Sequence, residues 1–191
     1  LLLAMAICGT AYFLFFLFAY PYRLLHREQL LLFTYTASEL ADYFNHPAPL
    51  SCLGGDFLTQ FFHHVPMGAA IVALTMALSG TLTYFTCLKW TDHRIALAIA
   101  ISVFVWESMR FCQISYPLSG TISLIGALSL FLLADKLKGK WEFSIGSICG
   151  IIIGYFLFGY GMFVFTLFAL LSALTRKRNY AGACGMAIVT L

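Results

Sequence analysis

From Phe143 to Thr175 no residue carries a charge, and apolar runs of similar character recur through the rest of the chain. A helix needs roughly 20 apolar residues to cross about 30 Å of hydrocarbon. In lipid the backbone must close its hydrogen bonds internally, which helices do segment by segment. A β-barrel would show strands of about ten residues with alternating polarity, and no such alternation is present. The composition agrees: 61% of residues are hydrophobic and 10% are charged, against about 25% charged in soluble domains. The expected fold class is therefore all-α, a polytopic transmembrane helix bundle with a long outer loop carrying interfacial helices.

The spans are expected at about 1–20, 66–88, 95–109, 116–134, 143–158 and 161–175, with a partial span from 182, all in a single membrane domain. The uncharged run is too long for one span at 1.5 Å rise per residue and short for two. Phe158-Gly159-Tyr160-Gly161 offers a place to reverse. Basic residues support a reversal there through the positive-inside rule. With a hairpin at 158–161, one side holds Lys89, Arg94, Lys136, Lys138, Lys140, Arg176, Lys177 and Arg178, and the other holds Arg23, Arg27 and Arg110, eight against three. Without it the split is five against six. The hairpin reading puts loop 21–65 outside the cytoplasm, as in a bacterial inner-membrane protein. The chain lacks an initiator Met and closes on GACGMAIVTL, which resembles the first half of another span, so a fragment of a longer protein is expected.

A net charge of +3, with the cations in the turns, does not imply nucleic acid. Of six cysteines only Cys52 lies in the long loop, and no CxxC pair occurs, which argues against a disulfide framework or zinc site. Membrane lipid is the partner the composition implies; the oligomeric state is not encoded in it.

Loop 21–65 is the one long polar interval. It holds Glu28, Glu39, Asp42 and Asp56, four of the eight acidic residues, and four of the five histidines. On a helical wheel Glu28, Tyr35, Glu39 and Asp42 share a narrow stripe, while Leu30, Phe33, Ala37, Leu40, Ala41 and Phe44 lie opposite. That pattern predicts an amphipathic helix over 28–44 lying in the interface, ended by Asn45-His46-Pro47. Leu31 and Leu32 interrupt it. After a turn at Gly54-Gly55, Asp56 is placed to cap a second short helix ahead of Pro66. The acidic stripe fits an ordinary solvated face. It also fits a carboxylate site for general-base chemistry or for a divalent cation. His63 and His64 point about 100° apart on a helix and do not share one metal.

Two further features stand apart from the loop. Glu107 and Arg110, three residues apart, form an intramembrane polar pair, either structural or functional. Gly146, Gly150 and Gly154 make a small-residue packing face.

The pieces Glu28-Gln29, Leu32-Phe33-Thr34, Leu53-Gly54-Gly55 and Phe57-Leu58-Thr59-Gln60-Phe61-Phe62 before Pro66 and Gly68-Ala69 resemble a family of bacterial multi-pass membrane proteins carried as a domain of unknown function. The resemblance covers the first span, the loop and the second span, about a third of the chain. The layout is also similar to that of the GT-C glycosyltransferases, with a first span, a long outer loop with membrane-parallel helices and an acidic residue, then many spans. That likeness implies sugar transfer from a polyprenyl-phosphate donor, with the catalytic carboxylate among Glu28, Glu39, Asp42 and Asp56. The paired Asp-Asp or Asp-Glu that many members carry is not present in this loop. A transporter or flippase, or a non-catalytic membrane subunit held by helix packing, are the other classes this sequence fits.

Overall fold

The computed structural model describes residues 1–30, 36–113, 116–175 and 179–190, with the side chains of Glu28 and Leu30 excepted. Among them every regular element is helical. Helix α1 (Leu2–Leu14) runs on into a π-helical turn, Phe15–Ala19, where Tyr20 N–H donates to the Phe15 carbonyl at 3.0 Å. Helices α2 (Pro21–Leu30), α3 (Ala37–Tyr43) and α4 (Pro49–Thr59) follow, then a 3₁₀ turn, Gln60–His63. Helix α5 (Val65–Cys87), with Pro66 in its first turn, leads to α6 (His93–Cys112) and α7 (Leu118–Ala134). Helices α8 (Lys140–Phe158) and α9 (Met162–Thr175) are separated by the 3₁₀ turn Gly159–Gly161, and α10 (Tyr180–Thr190) ends the described chain.

Among the described residues, four helical stretches are long and apolar enough to cross a membrane: Leu2–Ala19, Val65–Cys87, His93–Cys112 and Lys140–Thr175. The last is folded in two. Gly159 takes φ +71°, a left-handed value open to glycine at little cost. Beyond it Met162 faces Gly154 and Phe165 faces Gly150, so α9 runs back along α8. The glycine face thus serves helix packing, as small residues do where helices approach closely.

Large apolar side chains cover the outside. Leu3, Phe18, Leu74, Leu167 and Ile188 are each at least 64% exposed. Soluble proteins rarely expose apolar surface on this scale, whereas lipid tails solvate it. Inside, Phe16, Phe62 and Phe111 meet edge to face, with ring centroids 5.6 Å apart for Phe16–Phe111 and 6.3 Å for Phe62–Phe111. This aromatic knot ties α1, the 60–63 turn and α6 together.

The connections sort to two ends. At one end the segment 20–64 lies across the other turns. Arg23 reaches the Gln113 carbonyl, Ala48 N–H donates to the Phe156 carbonyl at 3.1 Å, and Ser51 Oγ donates to the Phe158 carbonyl at 3.4 Å. At the opposite end Lys89 pairs with Asp135, and Ser172 Oγ donates to Asp135 Oδ1 at 3.3 Å. There Trp90 stacks against both Phe131 and Phe168, which also touch each other, and donates from Nε1 to Thr175 Oγ1 at 3.0 Å.

Two expectations for the loop are corrected. The helix predicted over 28–44 is not continuous, because Thr36 is extended at φ −91°, ψ 143° and caps α3 by accepting from Glu39 N–H at 3.4 Å. Phe33 and Tyr35, on which part of that pattern rested, lie outside the described residues, as do Arg176, Lys177 and Arg178. The second correction concerns Gly54-Gly55. It is no turn, and Asp56 is no cap: α4 starts at Pro49, a favoured first helical residue, and runs through both glycines. Helix α4 packs on α7 so closely that only glycine fits at 55.

Candidate functional site

The described loop carboxylates, Glu39, Asp42 and Asp56, do not converge. Glu39 is exposed in the first turn of α3, where its charge complements the helix dipole. Asp42 is exposed too, 3.7 Å from His46 Nε2 and 3.5 Å from Asn45 Nδ2, an arrangement local to the end of α3. The Glu28 side chain is outside the described residues. Asp56 differs. It is half-buried on α4, and Tyr43 Oη donates to its Oδ2 at 2.8 Å, joining α3 to α4. Burial pushes the Asp56 carboxyl above the ordinary carboxylate value, and the Tyr43 hydroxyl pulls the other way. Tyr43 is raised in turn, by burial first and by Asp56 second. Among the described loop carboxylates, Asp56 alone sits in a partly desolvated, hydrogen-bonded setting of the kind that tunes a general base.

No three His, Cys, Asp or Glu side chains gather into a metal-holding group among the described residues. His63 and His64 are neighbouring rings, 5.2 Å between centroids and 68° between planes.

Glu107 and Arg110 lie 3.6 Å apart, within a cluster larger than two residues. Glu107 is 1% exposed. Its Oε2 accepts from Thr121 Oγ1 at 2.7 Å and from Tyr116 Oη at 3.0 Å, while Oε1 lies 3.6 Å from Arg110 Nη1. The Arg110 guanidinium lies over the Trp106 and Tyr116 rings at 4.5 and 4.2 Å. A buried carboxylate is tolerated when its lone pairs are filled, and here α6 and α7 fill them together.

Beside this cluster lie two residues that sequence reasoning used only for topology. Arg23 and Arg27 of α2 are 2% and 8% exposed. Arg23 Nη2 donates to the carbonyls of Phe111, at 3.4 Å, and Gln113, and Arg27 Nη2 donates to that of Tyr116. These carbonyls stand at and just past the C-terminus of α6, where a helix leaves its last carbonyls without partners and favours cations. The signal was present: arginines four apart share one helix face, directly after Pro21.

Residues 1–191 match a family of unknown function, DUF6057. The chain belongs to it. The match to DUF6057 extends over the whole chain, well past the third on which the resemblance was read, so the α6–α7 cluster and the 20–64 cap both fall within the family's domain. No curated protein and no solved structure matches the chain.

Proposed function

We propose that this member of DUF6057 is an integral membrane protein of a bacterial inner membrane that acts on a lipid-linked substrate. Segment 20–64 is its outer, active end. The reaction class is sugar transfer from a polyprenyl-phosphate donor, as in proteins of GT-C layout, with Asp56 activating the acceptor hydroxyl. The observation that carries this reading is the Asp56–Tyr43 contact on α4. It holds a carboxylate of raised basicity between the exposed α3 and the bundle, at the end where the 20–64 segment meets the turns. The exposed apolar flanks of the long helices support the membrane placement, and the eight-to-three distribution of basic residues supports the orientation. Glu39 and Asp42, both solvated, are assigned no part in the chemistry.

The buried Glu107 favours a second reading, in which the protein moves an ionic headgroup across the bilayer, since ionisable groups at such depth mark transport paths by default.

The test is sugar transfer by the full-length protein in liposomes. Asp56→Asn is expected to lower the rate about 10²–10⁴-fold, and Glu39→Gln and Asp42→Asn to retain it. Undiminished transfer by Asp56→Asn would remove Asp56 from the mechanism. Transfer by none of the proteins, wild type included, together with headgroup movement lost in Glu107→Gln, would establish the second reading.

The same substitution has a pH signature. A raised carboxyl keeps its proton in the folded state to higher pH than in the unfolded chain. Its contribution to stability is therefore complete below the unfolded value of 3.8 and is lost as pH rises through the raised folded value. Asp56→Asn abolishes that loss while its amide oxygen still accepts from Tyr43. Its Tm in detergent, relative to wild type, is expected to climb as pH rises above the ordinary carboxyl value of 3.8. A relative Tm that falls as pH rises there contradicts the placement of Asp56.

A further inference from the structure

Arg110 lies over the Tyr116 ring, Arg27 holds the Tyr116 carbonyl, and Arg23 is close enough to Arg27 to repel it, with one described carboxylate beside the three. Arg110 is beside Glu107 at 3.6 Å. Arg23 and Arg27 have no carboxylate partner among the described side chains, and each is more than nine-tenths buried. Their carbonyl contacts use one nitrogen apiece. Arg23 Nε and Nη1 and Arg27 Nε are buried with no acceptor among the described residues. The two cations also repel: burial first, and Arg23 second, pull Arg27 down to about 10. A buried charge without a counter-ion is among the costliest arrangements a protein can hold. Buried donors without acceptors point to a group that completes them.

An apolar groove reaches the same place. It runs between α1 and α6, lined by Cys8, Tyr12 and Phe15 on one side and Phe104, Met109 and Cys112 on the other. It ends at Cys112, between Phe111 and Gln113, whose carbonyls Arg23 holds. Phe15 opens the π-helical turn that leads the chain into Arg23. Such turns are frequent at functional sites. Groove and arginine-held carbonyls thus share the stretch Phe111–Gln113, at the ends of two helices long enough to cross a bilayer, which is headgroup depth.

We propose that Arg23 and Arg27, with the α1–α6 groove, form a binding site for a phosphate-bearing membrane lipid, its phosphate on the guanidinium groups and one acyl chain in the groove. Phosphate suits this site because guanidinium forks match its oxygens two at a time and form short, charge-assisted bonds. The site rests on the membrane placement argued above and is independent of sugar transfer.

The experiment is native mass spectrometry on the delipidated, detergent-purified protein, titrated with phosphatidylglycerol, with diacylglycerol of the same chains, and with inorganic phosphate. Phosphatidylglycerol is expected to bind about tenfold or more tightly than diacylglycerol, the ratio that one charge-assisted contact gives. Arg27→Gln should reduce that ratio toward one. Met109→Trp, at a lipid-facing position 67% exposed, should weaken phosphatidylglycerol by filling the groove without disturbing the arginines. Equal binding of phosphatidylglycerol and diacylglycerol by the wild-type protein would overturn the proposal, and that comparison holds even if Arg27→Gln fails to fold. Binding of inorganic phosphate as tight as that of the lipid would overturn the acyl-chain half and assign the site to free phosphate. A protein that stays in solution without detergent would instead overturn the membrane reading itself.

Discussion

Glu107→Ala is expected to cost about 1–3 kcal/mol, the range for leaving a buried donor unpaired, because the Arg110 side chain left behind is 31% exposed. The substitution strips the acceptor from Thr121 Oγ1 and Tyr116 Oη, which are 0% and 6% exposed as residues. The two hydroxyls are left with one another at 3.5 Å, so one buried donor goes unpaired. Arg110 loses its carboxylate as well, although its place over Trp106 and Tyr116 retains part of its stabilisation. Glu107→Gln keeps an acceptor oxygen and should lose clearly less than Glu107→Ala. Thermal unfolding in detergent reads the order wild type, then Gln, then Ala. An Ala variant as stable as wild type would mean that α6 and α7 are not held through this carboxylate.

Gly55 and Gly54 are expected to answer the same substitution in opposite directions. A Cβ at 55 would lie 2.7 Å from the Ser119 amide nitrogen and 2.9 Å from its Cα, distances that force the backbones of α4 and α7 apart. Overpacking of this kind typically costs about 1–3 kcal/mol, and backbone, unlike a side-chain tip, does not swing aside. At 54 the nearest atom is the Ile122 Cδ1 at 3.5 Å, ordinary contact. Gly→Ala inside a helix gains up to about 1 kcal/mol of propensity. Gly54→Ala should therefore raise Tm or leave it unchanged, and Gly55→Ala should lower it by several degrees. Equal responses would show that α4 does not lie against α7 as described.

The helical class was legible because uncharged runs of this length leave the backbone one means of pairing its own polar groups. The polar pair Glu107 and Arg110 was legible as well, since i, i+3 spacing places both on one face. Gly54-Gly55 misled because glycine pairs signal turns from local preference, whereas here their value is the absent Cβ against Ser119, a contact 64 residues away in sequence. Asp56 was consequently read as a cap and lies within a helix. The break in the 28–44 pattern had a local sign: Thr36 with Glu39 three residues on is the spacing of a helix start, and apolar periodicity overrode it. Arg23 and Arg27 show a shared helix face by their i, i+4 spacing, but not what that face meets. Their partners are main-chain carbonyls near residues 111–116, and no side-chain pattern announces a backbone acceptor.

In the orientation proposed above, α2–α4 and the 159–161 turn share an outer end, and the 135–140 turn lies at the other. In a cysteine-free background, single cysteines at Asn45 and Lys138, both exposed, and at Tyr160, 55% exposed, report on each. With an impermeant maleimide on intact bacterial cells, Asn45→Cys and Tyr160→Cys are predicted to react at once, and Lys138→Cys only after lysis. Labelling of Asn45→Cys and Tyr160→Cys from opposite sides, or of Lys138→Cys before lysis, would contradict it.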